Sequence, residues 1–149
     1  MIGLGGCGWL TASQRVSLHP EINLGIIPGF GGTQRLSRLV GKAMAKELCM
    51  TGMIISAQEA KDIGLANKVF SADALWDETM KTARLLASKG RVSMKAIKNC
   101  IDRGFDVDLR TGHFMEADCF AMCMSSPDGK EGMTAFLEKR KPEFKGGLV

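Results

Sequence analysis

A segment rich in glycine and proline at residues 20–36 constrains this chain more than any other feature. The carboxylate of Glu21 precedes an apolar run, the run ends in a glycine-rich turn, and the turn leads into a helix-forming stretch. Four glycines and two prolines here predict backbone shapes that most side chains would forbid. Backbone N–H groups at the start of the following helix attract negative charge or an oxygen atom. An acid that can transfer a proton, beside such donors, indicates chemistry at a carbonyl group.

Length and composition predict one globular domain, or part of a larger one. The chain has 149 residues, 45% hydrophobic and 24% charged, which is ordinary for a globular protein. No stretch approaches the ~18 consecutive apolar residues of a membrane span, and the start lacks the basic region of a secretion signal. We therefore expect no membrane partner. Five cysteines without a disulfide-like spacing predict reduced thiols in a cytoplasmic compartment.

The net charge of +4 is partly concentrated at the C-terminus, in Lys139, Arg140, Lys141 and Lys145. Two interpretations stay open: a solvated helix end whose cations complement the helix dipole, or a contact for the phosphates of a ligand. Nucleic acid is not the expected partner, because basic and aromatic residues do not alternate and tyrosine is absent.

A metal site is also not expected. Cys119 and Cys123 lie one helical turn apart with His113 upstream, but the sequence places no fourth ligand. Soft side chains on one helix face are the simpler interpretation.

Helices dominate the predicted secondary structure from residue 33 onward. Hydrophobic periodicity predicts them over 33–39, 42–50, 72–88, 92–103 and 108–124. A capping box at Ser56–Glu59 predicts a further short helix, and Ser126-Pro127-Asp128 predicts the start of the last one. Only 53–55 and 69–70 look extended. Because a stable sheet needs several strands, the chain resembles the helical side of an α/β protein whose sheet lies mostly elsewhere.

Two of these helices carry apolar residues at helical spacing, and those of the helix over 108–124 are candidate buried positions. The face of the helix over 72–88 consists of Leu75, Trp76, Met80, Ala83, Leu86 and Ala87. The helix over 108–124 offers Leu109, Phe114, Cys119, Phe120 and Met122.

Three motifs, in this order, resemble the crotonase (enoyl-CoA hydratase) family. They are residues 20–36, residues 52–70 with the Ser56 helix, and residues 131–141. The likeness covers nearly all of 20–145. It implies an α/β, crotonase-like fold, here mainly its helical C-terminal half with few short strands. It also implies one partial domain over residues 1–149 that lacks the N-terminal half of the family fold.

The resemblance also assigns roles to residues near the catalytic centre. Glu21 matches one of the two carboxylates that the family uses for proton transfer. Gly6 matches a glycine whose N–H binds the thioester oxygen, and Gly29 matches a turn glycine whose N–H helps to place the catalytic water. Trp9 falls where the family has its first acidic residue. From the residues alone, Glu21 would be interpreted as an ordinary surface carboxylate beside a turn. Gly29 shapes the turn under either interpretation.

On the last helix, Phe136 and Lys139 match positions that approach the adenosine end of coenzyme A (CoA), often across a subunit boundary. The implied assembly is a homo-oligomer, either a trimer or a hexamer made of two trimers. The ligand would be an acyl-CoA thioester, in which CoA is part of the substrate, and no separate cofactor or metal is implied.

The implied activity is that of a lyase of fatty-acid metabolism, which adds water to a short-chain enoyl-CoA thioester. We expect the isolated chain to be weak or inactive. A lost oxyanion donor costs about 2.7–4 kcal/mol, and a lost acid or base costs roughly 10²–10⁴ in rate. The alternatives are an enoyl-CoA isomerase that uses one glutamate and a non-catalytic oligomerisation remnant of the family.

Overall fold

The computed structural model describes residues 9–11, 15–17 and 19–147. These residues form two compact units, with the boundary between Thr82 and Ala83. The single domain expected over residues 1–149 stays a prediction. Gly6 lies outside the described residues, so its expected role in binding an oxyanion also stays a prediction.

Short strands and helices alternate in the first unit. They are β1 (Trp9–Thr11), β2 (Arg15–Ser17), a 3₁₀ helix (Pro20–Leu24), α1 (Gly32–Val40), α2 (Lys42–Thr51), β3 (Ile54–Ser56), α3 (Ala57–Asp62) and β4 (Lys68–Phe70). β1 pairs in parallel with β4, and β2 pairs antiparallel with β3. The expectation of few, short strands is confirmed, although the pattern had not indicated β1 or β2.

Local signals place the helix boundaries of this unit. Gly41, with φ of 80°, separates α1 from α2 as the sequence predicted. The capping box at the start of α3 is confirmed: the Ser56 hydroxyl accepts the Glu59 N–H at 3.2 Å, and the Glu59 carboxylate accepts the Ser56 N–H at 2.7 Å. The hydrogen bond from the Ser56 N–H, followed by the Ser56 side chain, stabilises the ionised carboxylate and lowers the pKa of Glu59.

The core of the first unit gathers side chains from strands and helices. It contains Val16, Leu36, Ala45, Leu48, Ile55, Ala57, Ala60 and Ala66. Leu36 of α1 and Leu48 of α2 are the largest of its fully buried side chains. The small alanines allow α3 to approach the strands closely. This core supports the turn at residues 25–31, which joins the 3₁₀ helix to α1.

The second unit is helical throughout its regular structure. Helix α4 (Ala72–Ala87) crosses the boundary between the units, and α5 (Arg91–Gly104), α6 (Leu109–Ser125) and α7 (Pro127–Leu137) follow. The predicted start of α7 is confirmed, because the Ser126 hydroxyl accepts the Gly129 N–H at 3.0 Å. Asp128 is 3% exposed and accepts the N–H groups of Lys145 and Gly146, which fixes the C-terminal tail on α7.

The predicted helices are confirmed, but the predicted burial of the apolar positions on α6 is wrong. No residue of α4 or α6 is buried. Trp76 is 71% exposed and Phe120 is 65% exposed. Periodicity identifies the apolar side of a helix, but burial needs a covering surface, and the described residues do not provide one for these two faces.

Two leucines of α1 test the core assignment. Leu36 is 0% exposed, whereas Leu39 on the same helix is 50% exposed. We expect Leu36→Ala to lower the free energy of unfolding by about 2–5 kcal/mol, because it leaves a cavity. The matched Leu39→Ala should change it by about 0.5 kcal/mol or less. Urea unfolding followed by circular dichroism measures both, and equal losses would contradict the core assignment.

Candidate functional site

Glu21 lies in the second position of the 3₁₀ helix that Pro20 begins. Its side chain is 32% exposed, yet the carboxyl oxygen Oε2 is buried and has no hydrogen-bond partner among the described residues. A buried carboxyl oxygen without a partner is costly. One oxygen of the predicted catalytic carboxylate therefore receives no hydrogen bond from the described residues and is available to another donor.

A residue that the sequence analysis did not identify lies beside this carboxylate. His19 is 6% exposed, and its Nδ1 lies 3.8 Å from Glu21 Oε2. Its Nε2 is also buried without a hydrogen-bond partner among the described residues. The one available signal was its place directly before the Pro20-Glu21 pair. The structure thus brings together two titratable side chains, each with an unsatisfied buried atom.

Glycine at position 32 makes room for this histidine. A Cβ atom at Gly32 would lie 2.6 Å from Cε1 of the His19 ring and 3.0 Å from Cβ of Pro28. A side chain there would push the ring away from its position beside Glu21. The expected backbone constraint is real at this site, but at Gly32 the constraint is space rather than a left-handed dihedral angle.

The turn before α1 does contain left-handed backbone. Gly25 and Gly31 have φ of 73° and 75°, and Phe30 adopts φ of 50° although it carries a side chain. The Phe30 ring is fully exposed. A bulky residue in this region stores strain, which is found most often at functional sites.

Gly29, which the sequence analysis placed beside a catalytic water, is exposed in this turn. Its carbonyl accepts the Gly32 N–H at 2.8 Å. Its own N–H donates to no backbone carbonyl within residues 19–147. Helix α1 has no acidic residue in its first turn, so no carboxylate of that turn competes for the N-terminal N–H groups.

An apolar cavity of about 380 Å³ lies between the segment that follows Glu21 and helix α2. Its walls include Ile22, Ile26, Pro28, Ala45, Cys49 and Met50. Burial, and then the negative charge of Glu21, raise the pKa of the Cys49 thiol. Glu21 directly precedes Ile22, which lines this cavity.

The two residues expected to contact CoA lie at the end of α7. Phe136 is 82% exposed. Lys139 adopts φ of 54° and donates its N–H to the Phe136 carbonyl at 3.2 Å, while Arg140 donates its N–H to the Ala135 carbonyl at 3.0 Å. This is a Schellman-type helix end with lysine in the position that glycine favours. Both side chains are exposed beside one helix terminus.

The basic cluster at the C-terminus is not uniform. The Arg140 guanidinium donates to both carboxyl oxygens of Glu131, at 2.6 and 2.9 Å, and to Glu138 at 2.6 Å. These hydrogen bonds from Arg140, followed by one from the Glu143 N–H, lower the pKa of Glu131 to about 2. The Arg140 guanidinium is therefore already bound by two carboxylates of this chain. The interpretation of the cluster as a phosphate contact depends on its lysines.

Trp9, at the position of the first family carboxylate, lies in β1.

A groove of about 1010 Å³ along α5 and α6 is larger than the cavity near Glu21, but its walls include none of Glu21, Gly29, Phe136 and Lys139. Across residues 9–11, 15–17 and 19–147, no group of side chains has a metal-binding arrangement, and no helix is long and apolar enough to cross a membrane.

Known proteins resemble the chain over most of its length. The family model described as enoyl-CoA hydratase/isomerase matches residues 10–147. A crotonyl-CoA hydratase of Syntrophomonas wolfei is 47% identical over 135 residues, which cover 91% of this chain and 52% of the relative. A short-chain-enoyl-CoA hydratase of Clostridioides difficile is 46% identical over 131 residues, which cover 87% of this chain and 84% of the relative.

Solved structures give the same result for the fold. An enoyl-CoA hydratase from Geobacillus kaustophilus superposes with a TM-score of 0.90 at 38% identity and covers 93% of this chain. An enoyl-CoA hydratase from Bacillus anthracis gives 0.89 at 42% identity, also over 93%. The predicted α/β crotonase-like fold is confirmed. The chain spans about half the length of the Syntrophomonas relative and of both solved structures.

The Glu131–Arg140 pair predicts a pH dependence of stability. Because the folded-state pKa of Glu131 is depressed, its contribution is present above the unfolded pKa of about 4.3 and is lost as the pH falls toward about 2. Wild type should exceed Glu131→Gln in urea midpoint at pH 6, and this gap should shrink as the pH falls. When Arg140→Gln is added both to wild type and to Glu131→Gln, the difference in their urea midpoints at pH 6 should be much smaller. A difference in urea midpoint that does not change with pH would contradict this interpretation.

Proposed function

Because the chain belongs to the enoyl-CoA hydratase/isomerase family, we propose that it carries part of a site that adds water to a short-chain enoyl-CoA thioester. The observation that carries the proposal is the buried carboxyl oxygen of Glu21, which no described residue hydrogen-bonds, directly before Ile22 in the wall of an apolar cavity. The names of the Syntrophomonas and Clostridioides relatives support this reaction. Because the chain spans about half the length of its Syntrophomonas relative, the activity of a whole protein is part of the proposal.

In this reaction, Glu21 exchanges a proton during the addition of water to the double bond. The hydroxyl of water bonds to C3 of the enoyl group and a proton bonds to C2, so no group leaves. Charge builds on the thioester oxygen meanwhile, and backbone N–H groups that face that oxygen stabilise it. We assign this role to Gly6 and the placing of the water to Gly29, on their match to the family and, for Gly29, on its exposed turn.

The apolar cavity supports a short acyl chain as the ligand. Most of its wall is made of apolar side chains such as Ile22, Pro28 and Met50, which gain from contact with a hydrocarbon. Its wall also includes Thr33, Ser37, Lys42 and Lys46. The C4 end of a crotonyl group would lie there, with the double bond toward the carboxylate.

The CoA end of the ligand would lie at the end of α7. An exposed aromatic ring such as Phe136 can stack on adenine, and Lys139 can approach the phosphates. CoA enters as part of the acyl-CoA thioester, so the proposal includes no separate cofactor. We further propose a homo-oligomer, a trimer or hexamer, in the cytoplasm. Association would cover exposed apolar faces such as those of α4 and α6.

An enoyl-CoA isomerase is the second candidate. Trp9 takes the place of the family's first acid, and Glu21 supplies the carboxylate at the second position. One carboxylate that removes a proton and returns it elsewhere is enough to move a double bond, whereas hydration in this family shares the proton transfers between two. The exposed faces of α4 and α6 also fit the third alternative, a non-catalytic oligomerisation remnant.

Replacing Glu21 tests the proposed reaction directly. Slow hydration of crotonyl-CoA by the purified chain should fall by roughly 10²–10⁴ in Glu21→Gln, because the variant loses its acid–base group. Glu47→Gln, an exposed carboxylate on α2, should leave the rate unchanged. Loss of the conjugated enoyl absorbance reports hydration, and conversion of a 3-enoyl-CoA reports isomerisation. Equal rates above the uncatalysed background in wild type and Glu21→Gln would contradict a catalytic Glu21.

A neighbouring pair of residues tests the CoA contact. We expect Phe136→Ala to weaken CoA binding by about 1–3 kcal/mol, the usual contribution of aromatic stacking on a base. Leu137→Ala is the matched control, because this neighbour is 80% exposed and offers no ring. Isothermal titration calorimetry with CoA measures both affinities. Equal effects of the two substitutions would contradict stacking on Phe136.

A further inference from the structure

Three cysteines lie close together where α5 packs against α6. Cys100 belongs to α5, and Cys119 and Cys123 belong to α6. All three are half-buried and reduced. The acyl-CoA chemistry proposed above uses none of them.

Cys100 lies against the turn of α6 that ends at Cys119. The Cys100 Sγ donates to the Met115 carbonyl oxygen at 3.9 Å, and Met115 precedes Cys119 by one helical turn. A hydrogen bond with the Cys119 side chain, and then burial, raise the pKa of Cys100. Cys123 lies one turn further along α6.

The helix geometry explains this contact. α5 and α6 run antiparallel, and their backbones approach at two glycines: a Cβ on Gly112 would lie 3.5 Å from the Gly104 carbonyl oxygen. Helical side chains lean toward the N-terminus of their own helix. In an antiparallel pair, Cys100 and Cys119 therefore lean toward each other. Met115 precedes Cys119 by one turn, which explains why Cys100 Sγ touches its carbonyl.

One of the two thiols is accessible to a small oxidant. Cys119 lines the groove of about 1010 Å³ along α5 and α6, together with Lys95, Lys98 and Arg103. The charged side chains of the groove wall include Asp102 as well as these cations, and the Lys98 ammonium donates to Asp102 at 2.9 Å.

We propose that Cys100 and Cys119 are an oxidative modification site, in which a peroxide converts the two thiols into a disulfide that links α5 to α6. The proposal concerns this chain alone and does not rest on the proposed acyl-CoA activity. Cys119 reacts first because it faces the groove, and Cys100 completes the bond.

The reaction balances with one hydrogen peroxide. The Cys119 sulfur attacks one peroxide oxygen, the O–O bond breaks, and a sulfenic acid and one water form. The Cys100 sulfur then attacks the Cys119 sulfur, the S–O bond breaks, and the hydroxide leaves with the Cys100 proton as a second water. The two sulfurs lose two electrons in total, and the peroxide gains them. A dithiol reductant restores both thiols.

Peptide mapping of the oxidised chain tests the site. The purified chain is freed of reductant, treated with hydrogen peroxide, alkylated and digested without reduction. We expect one cross-linked species that joins the peptide of Cys100 to the peptide of Cys119, and dithiothreitol should abolish it. The urea midpoint should rise on oxidation and return on reduction, because the disulfide closes the loop between α5 and α6.

Serine variants identify the partner. Cys100→Ser and Cys119→Ser should each lose the cross-linked species, whereas Cys123→Ser and Cys49→Ser should retain it. The Cys123 variant is decisive, since Cys119 and Cys123 fall in one tryptic peptide. The cross-link in the wild-type chain is measured without any substitution, so that result does not depend on whether a variant folds. The proposal is overturned if wild type forms no link, if the link needs Cys123, or if Cys119 is only oxidised further without one.

Discussion

The placement of the Glu21 carboxyl group is the constraint on which the rest of the site depends. Its Oε2 is buried, has no hydrogen-bond partner within the described part of the chain, and lies 3.8 Å from Nδ1 of the buried His19. Such an arrangement is unfavourable by itself, and the packed surroundings maintain it. Gly32 leaves space for the His19 ring, and the core around Leu36 holds α1 in place. The local fold thus holds in place the carboxylate to which the acyl-CoA proposal assigns the proton transfer.

The residues that the acyl-CoA proposal uses belong to both compact units of the chain. The acid and the apolar cavity belong to the first unit, and the exposed end of α7 with Phe136 belongs to the second. Both units also leave large apolar surfaces exposed, from Ile27 in the turn to Phe120 on α6. A chain with half the length of its Syntrophomonas relative and such surfaces is expected to act in association with further protein surface.

Features set by neighbouring residues could be predicted from sequence, and features set by distant contacts could not. The break at Gly41, the Ser56 capping box and the start of α7 follow from local hydrogen bonding, and all three are present. The resemblance supplied the fold and Glu21. His19 was missed because its burial depends on Gly32, which is remote in sequence. The exposure of Phe120 was missed because periodicity does not reveal what covers a face.

The most direct measurement is a crystal structure of the chain with a non-reactive crotonyl-CoA analogue. Our account predicts that the Glu21 carboxyl group faces C2 and C3 of the acyl chain, within hydrogen-bond reach of a water between them, with the acyl end in the apolar cavity. A Glu21 side chain turned to bulk solvent, with the analogue bound elsewhere or absent at saturating concentration, would contradict it.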